Sequence, residues 1–186
     1  MKIILASNSP RRKELLKAYN IKFDVIPSDI TEVLCPQLTP AENVMELAKQ
    51  KALDVYNKCQ TPFILAADTV VVYDNQILGK PKDEEDAFRM LKLLSGKTHQ
   101  VITGVAFLSL EGVESSYEIS NVTFKEITDN DILEYIKTNE PMDKSGSYDI
   151  KGIGAKFVQS YDGDFDNIVG LPMKLVLDIL KKAIEI

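Results

Sequence analysis

At 186 residues the chain has the size of one domain, against a norm of roughly 100–200, and its 45% hydrophobic and 27% charged residues exclude a disordered or fibrous protein. No apolar run approaches the roughly 20 residues that span a bilayer, and the first residues lack the basic, apolar and small-residue segments of a signal peptide, so a cytoplasmic protein is expected. A formal charge of -6 disfavours binding to nucleic acid or anionic membranes through a general basic field, and two cysteines without CxxC spacing exclude a disulfide framework or cysteine metal cluster.

The chain opens with an apolar run, Ile3-Ile4-Leu5-Ala6, which predicts a strand, then Ser7-Asn8-Ser9-Pro10-Arg11-Arg12. Ser9 suits a helix N-cap and Pro10 the first helical position, so Arg11 and Arg12 fall in the first turn. Cations there oppose the helix dipole, at a cost of about 0.3–1 kcal/mol each. A bound anion such as phosphate would reverse that balance, while the alternative is two solvated arginines on an exposed turn.

Phe23 to Ile26 predicts a short strand, Thr39-Pro40 opens a helix to about Cys59, and Phe63 to Tyr73 is a long apolar strand. Asp74-Asn75 forms a turn, Gly79-Lys80-Pro81 closes a short return segment, and Asp83 to Leu94 has helical spacing. Gln100 to Leu110 and Val113 to Ile127 read as an antiparallel hairpin joined at Glu111-Gly112, after which Thr128 caps a helix to about Lys137. A polar, Gly-rich region from Pro141 to Gly154 precedes a strand at Ala155 to Ser160, and Pro172 begins an amphipathic helix to about Ile184. Helices interleaved with long strands predict an α/β fold with a mixed sheet, and no repeat or linker marks a domain boundary.

Lys51 falls inside the apolar stripe of its helix, four residues from Leu47 and four from Val55, which aims it inward. It could snorkel, with its stem buried and its ammonium in water, or reach an anion. Asp68 shares strand parity with Ile64, Ala66, Val70 and Val72, so its carboxylate must be protonated, paired, hydrogen-bonded or metal-bound. Lys80 sits on a short stiff segment and is otherwise a surface lysine; Glu32 would be a solvated loop carboxylate unless it joins Asp68 on a metal.

Three features do not carry chemistry. LKLLSGKT at 91–98 ends like a phosphate-binding loop, but Leu91 stands where its first glycine belongs, and the segment follows a helix rather than a strand. Asp162, Asp164 and Asp166 begin like a calcium loop but lack its glycine, which is Asn167 here, and its closing glutamate, which is Met173; a polar turn is expected. His99, the single histidine, has no nucleophile signature around it and is expected to be structural.

The motifs SNSPRRKELL at 7–16, LAKQKA at 47–52, ADTVV at 67–71, GKP at 79–81, LSGKTHQVITGV at 94–105, EPMDKSGSYDIKGIGA at 140–155 and GLP at 170–172 occur in the order of a known family. The chain closely resembles the Maf family of nucleoside triphosphate pyrophosphatases over nearly its whole length. The resemblance implies one domain over 1–186, an elongated α/β fold of two lobes with a central cleft, related to the inosine triphosphate pyrophosphatases. It implies hydrolysis between the α and β phosphates with a divalent cation, Mg²⁺, Mn²⁺ or Co²⁺.

Carried over by motif, Ser7, Arg11, Arg12, Lys51 and Lys80 should hold the triphosphate, and Asp68 should accept a proton from the attacking water, with Glu32 helping Asp68 to hold the metal. A dTTP/UTP-preferring subgroup has a pattern that resembles Arg11 and Thr69 here, together with a glutamine whose aligned position is Lys151. An amide both donates and accepts toward a pyrimidine edge, whereas lysine only donates. The expected substrates are dTTP and UTP, with another or a modified base as the alternative. A nucleotide-binding regulator of cell division or septum formation is the competing class, and a homodimer is among the assemblies the chain allows.

Overall fold

The computed structural model of the protein describes residues 2–184. Its strands are β1 (Ile3–Leu5), β2 (Phe23–Val25), β3 (Ile64–Tyr73), β4 (Gln76–Leu78), β5 (Thr98–Ser109), β6 (Gly112–Phe124) and β7 (Val158–Asp162). Its α-helices are α1 (Pro10–Ala18), α2 (Pro40–Cys59), α3 (Glu84–Leu94), α4 (Asp129–Ile136), α5 (Phe165–Val169) and α6 (Met173–Ile184). The strands form one seven-stranded sheet in the order β2-β1-β3-β5-β6-β7, with β4 paired to β3 off that path. β1 runs parallel to β2 and β3, whereas β4 is antiparallel to β3 and β7 to β6, which is the mixed α/β sheet expected.

The chain divides into two compact units: Met1–Thr69, Thr103–Glu118 and Gly170–Ile186 form the first, Val70–Ile102 and Ile119–Val169 the second. In the first, α2 starts at a complete capping box, with Thr39 accepting from the Glu42 amide and the Glu42 carboxylate accepting from the Thr39 amide. Small residues then bring α2 close to the sheet: Ala48 and Ala52 pack with Ala6, Ala66 and Ala106 in one buried cluster. Gly104 is part of this fit, since a Cβ there would lie 2.4 Å from the carbonyl carbon and oxygen of Val44.

In the second unit α3 and α4 pack on one another, and Ala87, Met90, Leu91, Leu94, Ile132 and Ile136 are all buried there. Its interior also holds an aromatic cluster. His99, Phe124 and Tyr148 meet edge to face, with ring centroids 4.9 Å, 4.7 Å and 5.4 Å apart in the pairs His99–Phe124, Phe124–Tyr148 and His99–Tyr148.

Several boundaries differ from those read in the sequence. β6 stops at Phe124 rather than Ile127, because the Ile127 amide turns to the Ser95 hydroxyl at 2.7 Å. The hairpin turns at Leu110-Glu111, one residue earlier than expected. The strand expected at Ala155 to Ser160 begins as a 3-10 turn, Ile153–Phe157, and becomes strand only at Val158. The Gly-rich segment before it is not a plain loop, since it forms two further 3-10 turns, Glu140–Asp143 and Ser145–Ser147. The polar turn expected at Asp162–Asp166 is confined to Gly163 and Asp164; the Asp164 carboxylate accepts from the Asp166 amide at 2.9 Å and starts the short helix α5. Among the described residues no helix is long and apolar enough to cross a membrane.

Candidate active site

The first unit gathers seven of the nine residues singled out above: Ser7, Arg11, Arg12, Glu32, Lys51, Asp68 and Thr69. Ser9 caps α1 and Pro10 opens it as expected, and the first turn holds no acidic residue, so Arg11 and Arg12 lie at the positive end of the helix. The Arg12 guanidinium is fixed by three acceptors: its Nε donates to the Gly170 carbonyl at 2.8 Å, Nη1 to Ser7 Oγ at 3.2 Å and Nη2 to Thr69 Oγ1 at 3.1 Å. The Arg12 side chain therefore reaches Thr69.

Thr69 Oγ1 also lies 2.9 Å from Thr103 Oγ1 and 3.4 Å from the Gly170 carbonyl. Gly170 has φ +122, a conformation that glycine adopts without strain, and this backbone shape turns its carbonyl toward both side chains. Sequence reasoning missed Thr103 and the Gly170 carbonyl. Thr103 could have been found, because it interrupts the apolar run of β5 as Asp68 interrupts that of β3.

Asp68 lies mid-strand in β3 at 6% exposure and Lys51 on α2 at 8%. Lys51 Nζ is 2.6 Å from Asp68 Oδ1 and 2.7 Å from Glu32 Oε1. This excludes the snorkelling alternative for Lys51, since its ammonium is held between two carboxylates rather than delivered to water. Glu32 is half-exposed on its loop, yet it is an ion-pair partner, not a merely solvated carboxylate.

Burial lowers the pKa of Arg12; the negative charges of Asp68 and Glu32 act in the opposite sense, and Arg11 adds to the lowering. Three cations and two carboxylates thus share one electrostatic field, an arrangement suited to a polyanion. Among the described residues no group of three or more His, Cys, Asp or Glu side chains could hold a metal ion by itself. Asp68 and Glu32 nevertheless fit a hard divalent cation. They are oxygen donors already converging on one positive charge, and Mg²⁺ is commonly held by one or two carboxylates plus substrate phosphates.

Lys80 and Lys151 lie in the second unit, both exposed. Lys80 follows Gly79, whose carbonyl accepts from the Gly146 amide at 3.0 Å. Lys151 lies in the segment between Asp149 and Gly154, and its amide donates to Asp149 Oδ1 at 2.9 Å. His99 is structural in its surroundings: 2% exposed, with Nε2 2.8 Å from the Tyr148 hydroxyl.

Comparison with known sequences then decides the family, because the profile described as "Maf-like protein" matches residues 2–183. The chain belongs to the Maf family. A dTTP/UTP pyrophosphatase of Clostridioides difficile (strain 630) is 50% identical over 188 residues, spanning 100% of this chain and 97% of that protein. A dTTP/UTP pyrophosphatase of Bacillus cytotoxicus is 51% identical over 181 residues, spanning 97% and 95%. The fold is shared with the Staphylococcus aureus Ham1 protein at a TM-score of 0.53 and 13% identity, over 98% of this Maf chain and 99% of the other.

Proposed function

We propose that this Maf-family chain hydrolyses nucleoside triphosphates to the monophosphate and pyrophosphate, with dTTP and UTP as its preferred substrates. The observation that carries the reading is the buried Asp68–Lys51 pair, extended by Glu32, in the same unit as the arginine-bearing turn of α1. A buried carboxylate held by one ammonium is a costly feature for a fold to keep without use. Near-half identity to dTTP/UTP pyrophosphatases along the whole chain supports the same reading.

In this mechanism Asp68 accepts a proton from a water molecule as its oxygen attacks the α phosphorus. The new P–O bond forms on the water oxygen, the bond to the bridging oxygen breaks, and pyrophosphate leaves with that electron pair. Lys51 orients the Asp68 carboxylate and, with Arg11, balances the charge of the phosphate oxygens, to which the Ser7 hydroxyl donates a hydrogen bond. Arg12 holds Ser7, Thr69 and the Gly170 carbonyl in place for that contact, and Lys80 takes the departing pyrophosphate. Asp68 and Glu32 would hold Mg²⁺, Mn²⁺ or Co²⁺, which when bound supplies further neutralisation of the phosphates. Thr69 and Lys151 select the base; a lysine donor suits the carbonyl acceptors of thymine and uracil. The two units together make one catalytic domain over 1–186, cytoplasmic, acting on free nucleotides as a monomer or homodimer.

The test is a screen of dTTP, UTP, CTP, ATP and GTP with each cation, with pyrophosphate and orthophosphate release measured separately. Pyrophosphate should appear in step with monophosphate. The kcat/KM for dTTP and UTP should exceed that for the others by about tenfold, the factor that one hydrogen bond worth about 1.4 kcal/mol supplies. Release of orthophosphate, or a purine preference, would contradict the proposal.

A further inference from the structure

The second unit contains a polar network that the reaction above does not use. Glu140 gathers donors from both sides of it in the chain: its Oε2 accepts from the Ile153 amide at 2.9 Å, and its Oε1 accepts from the Gly154 amide at 2.9 Å and from the Tyr135 hydroxyl at 2.8 Å. The Tyr135 oxygen in turn accepts from the Asp149 amide at 3.2 Å. Both ends of the segment 149–154 are therefore tied to one carboxylate–phenol pair, and Lys151 lies between the ties.

The backbone lies directly against that pair. A Cβ at Gly152 would stand 2.4 Å from Glu140 Oε2, and one at Gly154 would stand 2.6 Å from the Tyr135 hydroxyl. Tyr135 is fully buried on α4 and set edge-on to Phe157 at 5.1 Å, so its hydroxyl is a fixed point. Burial by itself would raise the Glu140 carboxyl, but the Ile153 and Gly154 amides and the Tyr135 hydroxyl outweigh it and hold the group below its ordinary value. Burial first, and then the neighbouring Glu140 carboxylate, push the Tyr135 phenol up, which keeps it a proton donor. A glutamine at 140 could not reproduce this arrangement, because in either orientation its NH₂ would face the N–H of Ile153 or of Gly154.

We propose that Glu140 and Tyr135 are positioning residues for nucleotide selection, holding the segment 149–154 in one shape so that Lys151 meets the base in one geometry. This rests on the assignment of Lys151 to base selection made above. A lysine is a single donor on a flexible four-carbon stem, so its selectivity depends on where the backbone fixes the root of that stem.

The test compares the full-length protein with Glu140→Gln, Tyr135→Phe, Lys151→Ala and the double variant Glu140→Gln/Lys151→Ala, reading the ratio of kcat/KM for dTTP over CTP. Glu140→Gln should lower that ratio severalfold, mainly through KM, and speed amide exchange at Ile153 and Gly154; Tyr135→Phe should do the same to a smaller extent. In the Lys151→Ala background, Glu140→Gln should leave the ratio where Lys151→Ala alone puts it. Where Glu140→Gln fails to fold, Tyr135→Phe, which keeps the buried ring, carries the same comparison. The inference is overturned if Lys151→Ala shifts the ratio and the Glu140 or Tyr135 change does not, or shifts it equally in both backgrounds. If Lys151→Ala alters no nucleotide's kinetics, the assignment of Lys151 fails, and the positioning role fails with it.

Discussion

The two units treat their buried titratable groups in opposite ways. The first keeps charge inside by opposing it with charge: Lys51 and Asp68, both under a tenth exposed, face each other at 2.6 Å. The second keeps its buried rings neutral. His99 is pushed down to about 4 by burial, and Tyr148 is pushed up by burial first and then by Asp149. Glu140, the carboxylate beside the buried Tyr135 ring, is met by backbone amides and a phenol. Full charges in the first unit suit chemistry on a polyanion, whereas neutral groups in the second hold a shape.

Removing Lys51 is the strongest way to break this contrast. Lys51→Met leaves Asp68 a buried carboxylate without its cation and should cost about 3–5 kcal/mol, read as a lower urea midpoint. The double variant Lys51→Met/Asp68→Asn should recover much of that loss, since the orphaned charge is gone. Little loss in the single variant would mean that the pair is not electrostatically isolated.

The second unit should respond to acid instead. His99 has an ordinary value of 6.5 and sits at about 4 in the fold, so between those values the unfolded chain binds the extra proton. The contribution is then complete above pH 6.5 and is lost as the pH falls through 6.5 toward 4. By pH 5 the loss should reach about 2 kcal/mol relative to pH 7. His99→Gln, which keeps a partner for the Tyr148 hydroxyl, should remove that part of the pH dependence in urea unfolding. An unchanged slope would show that His99 binds its proton equally well in the folded and unfolded chain.

Sequence patterns revealed those parts of the fold and site that arise locally. The Ser9 and Thr39 caps, the apolar face of α2 and the polar interruption of β3 all follow from spacing, and together they bring Lys51 and Asp68 inward. What stayed hidden depends on contacts between distant residues. The Arg12–Gly170 bond joins positions 158 apart, and neither residue's neighbours announce it. The ties from Glu140 hold the Ile153 and Gly154 amides at the start of a 3-10 turn, Ile153–Phe157, which runs on over the first residues of the expected strand. Lys151 stood out only through the family resemblance, and Lys80 only by the stiff Gly79-Lys80-Pro81 segment that carries it, since an exposed lysine has no spacing to distinguish it.

The central claim is that the buried carboxylate of β3 takes the proton from the attacking water. It is tested most directly by the rate of pyrophosphate release from dTTP by Asp68→Asn, at saturating substrate and cation, beside the unaltered protein. Loss of a proton acceptor should lower kcat by about 10²–10⁴-fold. An Asp68→Asn protein that turns over at the unaltered rate would contradict the account.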